Sequence, residues 1–431
     1  MHRFFKSDFF NFEALRLLSF TPHEGGEVSE FLEAVGRIKD RDFESWYTTW
    51  IAETEKAEAL AVEAERAGNR AAARRAFFRA SNYQRAAQFM LNGRSGDARI
   101  LSDSENAISN FWRAAVLLDS SITKLEIPYE KDIKLPAYLH IPHPSKRLPG
   151  KLPLLVNTVG GDATQEEITY IFPMAALELG YAVLTFEGPG QGMVLRRHNL
   201  PMRPDWEVVV GKVLDFALEY VEACPDLKKL IDTDRIAIAG SSVGGYLSLR
   251  GASDRRIKAC ISVDPFYCMF DLLKGRMPGF LIDAFSAGGF AADSTWDSFL
   301  GLLKWLDTQT QWESDLSFWF LGVDNAADMF RAMMRFTFET ADGAGFLHRV
   351  KCPVFVTGAR YGLYSEPEVS TNRIYEDLVN VPEGSKLKWI AEDAGQGGLQ
   401  SKVGSFQILT QKAFAFLDKS LGIERRITLA A

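Results

Sequence analysis

Five residues, Gly240-Ser241-Ser242-Val243-Gly244, stand between an apolar run, "RIAIA", and the small-residue segment "YLSLRGAS". G-x-S-x-G between a strand and a helix is the spacing of a nucleophile elbow, a turn so tight that only small residues can flank the serine thrust up at the sheet edge. Such a serine attacks a carbonyl when a neighbour takes its proton and N–H groups hold the oxygen that becomes negative. Here the serine is Ser242. The plain structural reading of the same residues is a glycine-rich turn in any doubly wound sheet.

The elements around this turn support the sharper reading. From about Glu27 to Ser120 the chain is rich in Ala, Glu and Arg with apolar residues three and four apart, as in "AARRAFFRASNYQRAAQFML", which predicts several packed helices. "ITKLEIPYEKDIKLPAYLHIP" alternates around a charged turn and predicts a β-hairpin. The apolar runs "LPLLVNTV", "YAVLTFEG", "RIAIAGSS", "IKACISVDP", "PVFVTGAR" and "LKWIAEDAG" then alternate with amphipathic segments, the pattern of a mostly parallel, doubly wound α/β sheet covered on both faces. Between "ISVDP" and "PVFV" no strand is evident, and 16 of the 52 aromatic residues fall between Phe266 and Phe338. That concentration predicts a helical lid whose inner face packs on the core, over an apolar pocket or simply as core. The expected organisation is a helical annex over 1–120, the first part of the core over 121–265, the lid over 266–345 and the rest of the core over 346–431.

Bulk composition narrows the partners. A net charge of -7 without clustered Lys and Arg argues against nucleic acid and anionic membrane and for a small molecule. Cys224, Cys260, Cys268 and Cys352 form neither a CxxC pair nor a metal-like cluster, so no metal or cofactor is expected. Lys6, Asp8 and Glu13 interrupt the apolar N-terminus before a signal core or membrane span can form, which makes a cytoplasmic location the expectation.

Three segments, "VGGDATQEE", "FEGPGQGMVLRRHNLPMRPDWE" and "DRIAIAGSSVGGYLSLRGAS", resemble the α/β-hydrolase superfamily, and within it the fungal polyketide hydrolases that shorten or cleave polyketide chains. The resemblance spans roughly 120–422 and implies an α/β-hydrolase fold with an N-terminal helical annex and a lid before the late strands. It puts Ser242 at the nucleophile position and gives the oxyanion hole to Val243 and the Gly160-Gly161 loop. Asp162 and Glu166 would hold the shape of that loop, and Arg203, Asp205 and Trp206 would be structural. Related folds pair through helical annexes, which leaves a homodimer open.

Two positions depart from that pattern. The family acid follows "PVFVTGA", where this chain has Tyr361, and the family histidine lies in a run like "GAGH", where this chain has Gln396. An imidazole accepts the serine proton because its pKa lies near neutrality, and a carboxamide has no such basicity. In a serine protease, losing the histidine costs a factor of about 10⁶. Of the six histidines only His198, after "EGPGQG", is expected at the correct sheet edge, and Asp264, ending "ACISVDP", is a substitute acid used by some hydrolases of this fold.

An intact elbow without base or acid suits a pocket that binds and polarises a carbonyl. The leading expectation is a non-hydrolytic tailoring enzyme of polyketide metabolism, a cyclase or isomerase performing cyclisation, isomerisation or aldol-type closure, with Ser242, Tyr361 and Gln396 as hydrogen-bonding groups. Tyr361 and Gln396 would equally well fill the space of a dead triad. The alternatives are a serine hydrolase of C–C or ester bonds with His198 recruited, and a catalytically silent binding protein.

Overall fold

The strands are β1 (Ser121–Glu130), β2 (Ile133–Ile141), β3 (Leu152–Thr158), β4 (Ala182–Phe186), β5 (Ile231–Ser241), β6 (Ile257–Val263), β7 (Val354–Ala359) and β8 (Lys386–Ala391), in a computed structural model that describes residues 1–275, 277, 279–286, 293–364 and 366–425. They form one sheet in the order β1-β2-β4-β3-β5-β6-β7-β8. The β1–β2 hairpin and the β2–β4 pair are antiparallel, and every later pair is parallel. Burial follows position: every residue of β3, β4 and β7 is buried, as strands covered on both faces must be, whereas the edge strand β1 alternates exposed and buried over Leu125–Glu130. The strand order reverses at β3, which lies between β4 and β5. The loops leaving β3 and β5 therefore meet at the carboxyl edge, where open α/β sheets form their crevice.

The annex consists of α1 (Asp8–Leu18), α2 (Val28–Arg37), α3 (Phe43–Arg66), α4 (Arg70–Phe89) and α5 (Arg99–Ala115). α3 and α4 start on Asp42 and Asn69, whose side chains accept the Ser45 and Ala72 N–H groups. From Ala80 to Phe89 every residue of α4 is buried, so this helix is the axis of the annex. α1 is buried nearly all round, with Phe9, Phe10, Phe12, Ala14 and Leu17 in the core, and it carries Glu13 and Arg16 inside with them.

The interval between β6 and β7 contains the helices Gly279–Ser286, Asp293–Leu306, Thr308–Leu321 and Ala326–Arg335. Phe270, Phe285, Trp296 and Phe330 form their common centre, with ring centroids 5.2–6.0 Å apart in mainly edge-to-face pairs. Trp312 ties this lid to the annex: its ring stacks on Phe89 at 4.7 Å and its indole N–H donates to the Phe89 carbonyl at 3.1 Å. Among the described residues no helix is long and apolar enough to cross a membrane.

Candidate active site

Ser242 sits at the turn between β5 and the helix Val243–Gly251 with φ 56° and ψ -119°, a conformation that a non-glycine residue holds only under strain. The flanking glycines are steric necessities. A Cβ on Gly240 would lie 2.1 Å from the Gly244 carbonyl oxygen, and one on Gly245 would lie 2.8 Å from that of Val263. The Ser242 N–H donates to the Val263 carbonyl at 2.8 Å and fastens the elbow to β6.

The Gly160-Gly161 loop lies against the elbow. A Cβ on Gly160 would sit 3.5 Å from the Ser241 carbonyl, and one on Gly161 would sit 3.3 Å from the Val243 side chain. Val243 begins its helix, so its N–H has no carbonyl one turn back to bond within that helix. The loop is held by "EGPGQG": the Gln191 amide donates to the Val159 and Gly160 carbonyls at 2.7 and 3.1 Å and accepts the Gly188 N–H at 2.8 Å. Glu187, buried in the same motif, accepts the Gln165 and Met193 N–H groups at 3.1 and 2.7 Å. Glu166 accepts a short hydrogen bond from Tyr138, which ties the loop to β2. Arg203 forks onto Asp205 and also donates to Tyr129, and Trp206 is buried against Phe186, so this trio braces the sheet away from the elbow.

Two cavities open at Ser242. The larger, about 170 Å³, runs under the lid between Met269, Leu272, Leu300, Leu316, Phe330 and Met333, with Gly161, Asp162, Ser242 and Val243 at its floor. The smaller, about 80 Å³, lies toward the annex and is lined by Glu13, Arg16, Asp162, Glu167, Gly160 and Ser242 among others. Asp162, Ser242 and Tyr364 belong to both walls.

The polar side of the smaller chamber is one connected cluster. Arg16 donates to both oxygens of Glu167 at 2.7 and 2.8 Å, to Asp162 at 2.9 Å and to Glu13 at 3.3 Å. Arg85 from α4 is 3.3 Å from Glu167. Two cations thus face three carboxyl groups, and of the contacts that Arg16 makes the one to Glu13 is the longest. Burial pushes the Glu13 carboxyl up to about 8; Arg16 and Arg85 pull it down, and Asp162 and Glu167 push it further up.

The other residues expected at the site lie elsewhere. Tyr361 is 58% exposed, with its N–H bonded to the Gly398 carbonyl and its ring outside both cavities. Three residues on, Tyr364 lines both cavities. Gln396 is exposed as well, while Gln400 lines the smaller chamber and donates to the Asp264 carbonyl at 3.2 Å. His198 ends the helix Gly192–His198 in an exposed position and lines neither cavity.

Asp264 is buried behind the elbow with φ 46°, accepts the Thr357 hydroxyl at 2.6 Å and pairs with Lys402 at 2.9 Å. Burial lowers the Lys402 pKa against the pull of Asp264, and the ammonium also donates to the Gly358 carbonyl. The carboxylate of Asp264 is thus held by a lysine. His140 lies buried in β2, where burial pushes its imidazole down to about 3, and none of the six histidines lines either cavity. Among the described residues no group of side chains could hold a metal ion.

Glu13, Arg16, Tyr364 and Gln400 escape sequence reading. The available signal for the first two was a charged pair at i,i+3 in a helix apolar on every face, "DFFNFEALRLL".

Residues 154–395 match the alpha/beta hydrolase family. The chain is 49% identical over 429 residues to the alpha/beta hydrolase psoB of Aspergillus fumigatus, covering 99% of this chain and 96% of that protein. It is 43% identical over 427 residues to the 20-hydroxy-prefusarin hydrolase of Gibberella moniliformis, covering 99% and 100%. Among solved structures the 2,6-dihydroxy-pseudo-oxynicotine hydrolase is similar in fold, with a TM-score of 0.69 at 21% identity over 93% of this chain and 95% of that one.

Proposed function

The chain belongs to the alpha/beta hydrolase family and has fungal hydrolases as full-length relatives, and from that premise we propose that it is a polyketide-tailoring enzyme that works without an acyl-enzyme. One observation carries the reading: the serine of the elbow faces two cavities into which no histidine reaches. A hydroxyl without a base is a poor nucleophile, yet it remains a good hydrogen-bond donor. With the N–H groups of Val243 and the glycine loop, Ser242 forms a site for a carbonyl oxygen that gains charge as an enolate or alkoxide forms. The apolar chamber under the lid takes the substrate chain and limits its conformations, which is how an enclosed site promotes ring closure or isomerisation.

Hydrolysis through Ser242 is the second reading, favoured by the strained backbone at the elbow and by the hydrolase names of the relatives. A fluorophosphonate probe separates the two. Slow, substoichiometric labelling of Ser242 is expected; rapid stoichiometric labelling that Ser242→Ala abolishes would establish an activated nucleophile and overturn the first reading.

A further inference from the structure

A carbonyl-polarising pocket needs a group that moves protons, and the elbow does not supply one. The only titratable side chains lining the two chambers near Ser242, among the described residues, are Glu13, Arg16, Asp162, Glu167, Glu313 and Tyr364. Arg16 forks onto Glu167 at 2.7 and 2.8 Å and holds Asp162 at 2.9 Å, and Arg85 lies 3.3 Å from Glu167, whereas the contact of Arg16 with Glu13 is longer, 3.3 Å. Glu313 lies in the lid helix, on the apolar side. Glu13 remains as the third carboxyl facing two guanidinium groups.

We infer that Glu13, carried into the smaller chamber by α1, is the proton-transfer residue of this site, acting on a substrate with an acidic carbon between two carbonyl groups. The assignment rests on the carbonyl-binding reading above. The Glu13 carboxylate takes the proton of that carbon, and the C–H electron pair becomes the enolate held by Ser242 and the N–H donors. The enolate carbon then attacks a second carbonyl carbon of the same molecule. A C–C bond forms, the π pair moves onto oxygen, and the carboxylic acid of Glu13 returns its proton to that oxygen. Nothing is oxidised or reduced, and no co-reactant is required.

The surroundings suit this role. Arg16 faces Glu13 from its own helix, Arg85 from α4, Asp162 and Glu167 from the segment after β3, and Tyr364 from the loop after β7. Burial in this company places the carboxyl near the pH where an acid and a base form coexist, which favours a group that must both accept and donate.

The test is deuterium exchange into the central carbon of N-benzylacetoacetamide, a β-keto amide, followed by NMR above the protein-free background. Wild-type exchange is expected to rise with pH and level off above about 8, and Glu13→Gln is expected to lower it by about 100-fold. Because the Gln side chain mimics the neutral carboxyl, the variant's thermal unfolding should match that of the wild type at about pH 4.5 and lie no lower than it at pH 7. A loss smaller than tenfold overturns the assignment and leaves the carbonyl-binding reading standing. If the variant fails to fold, the wild-type profile decides: exchange that is flat between pH 6 and 9 overturns the assignment. A wild-type protein that exchanges no faster than background overturns both the assignment and the reading beneath it.

Discussion

The chamber under the lid and the chamber under the annex share Asp162, Ser242 and Tyr364, yet Leu, Met and Phe wall the first, while carboxyl groups and an arginine line one side of the second. Apolar walls gain from contact in any geometry that fills space, and they tolerate exchange of similar volumes. A buried ionic cluster holds only while each member has its partner, and removing one leaves the others charged and desolvated. The first chamber is thus suited to accept a range of apolar chains, and the second to hold a few atoms in fixed positions.

That contrast can be broken by substitution. The largest effect is expected from Arg16→Ala, which leaves the buried Glu167 with Arg85 as its remaining cation. It should cost about 3–5 kcal/mol of unfolding free energy, measured by urea denaturation; a loss below about 1 kcal/mol would mean that the cluster is not held by Arg16.

Next comes the pH dependence of stability. Unfolded, Glu13 titrates near 4.5, and folded near 8, so the native chain keeps a proton that the unfolded chain has lost across that interval. The resulting stabilisation is complete below about 4.5 and disappears as pH rises through about 8. The melting temperature of the wild type should therefore fall between pH 5 and 9 relative to Glu13→Gln, and parallel curves would show that the carboxyl is not perturbed.

A smaller gain is expected from Ser242→Gly. Glycine adopts φ 56° without strain, so the variant should be more stable by about 1 kcal/mol while losing turnover. The smallest effect belongs to the apolar chamber: Met333→Leu conserves volume and should change stability by less than about 1 kcal/mol. A larger cost would assign the lid chamber a fixed shape.

Much of the architecture was legible because its signals are local. Six short apolar runs became the six later strands, and the alternating segment became the β1–β2 hairpin. The elbow was legible for a steric reason, since Gly240 and Gly245 leave no room for a side chain and Gly244 leaves little. The site was legible only where the main chain fixes it, at Ser242, Val243 and the Gly160-Gly161 loop. Tyr361 and Gln396 are placed by register within loops, and a loop can carry the expected position to the surface while a neighbour three or four residues on turns inward, as Tyr364 and Gln400 do. Arg16 reaches Asp162 and Glu167 across 146 and 151 residues, a juxtaposition that no local pattern encodes. Glu13 served in the sequence only as an interruption of an apolar stretch.

One wall of the smaller chamber is the helix Asp8–Leu18, close to the first residue of the chain. Protease trimming of about twenty residues would cut away no strand, yet it would remove Glu13 and Arg16 together with Phe9, Phe10, Phe12 and Leu17 of the core and admit water beside Ser242. Mass spectrometry of the intact amino terminus therefore belongs beside any assay that finds no activity.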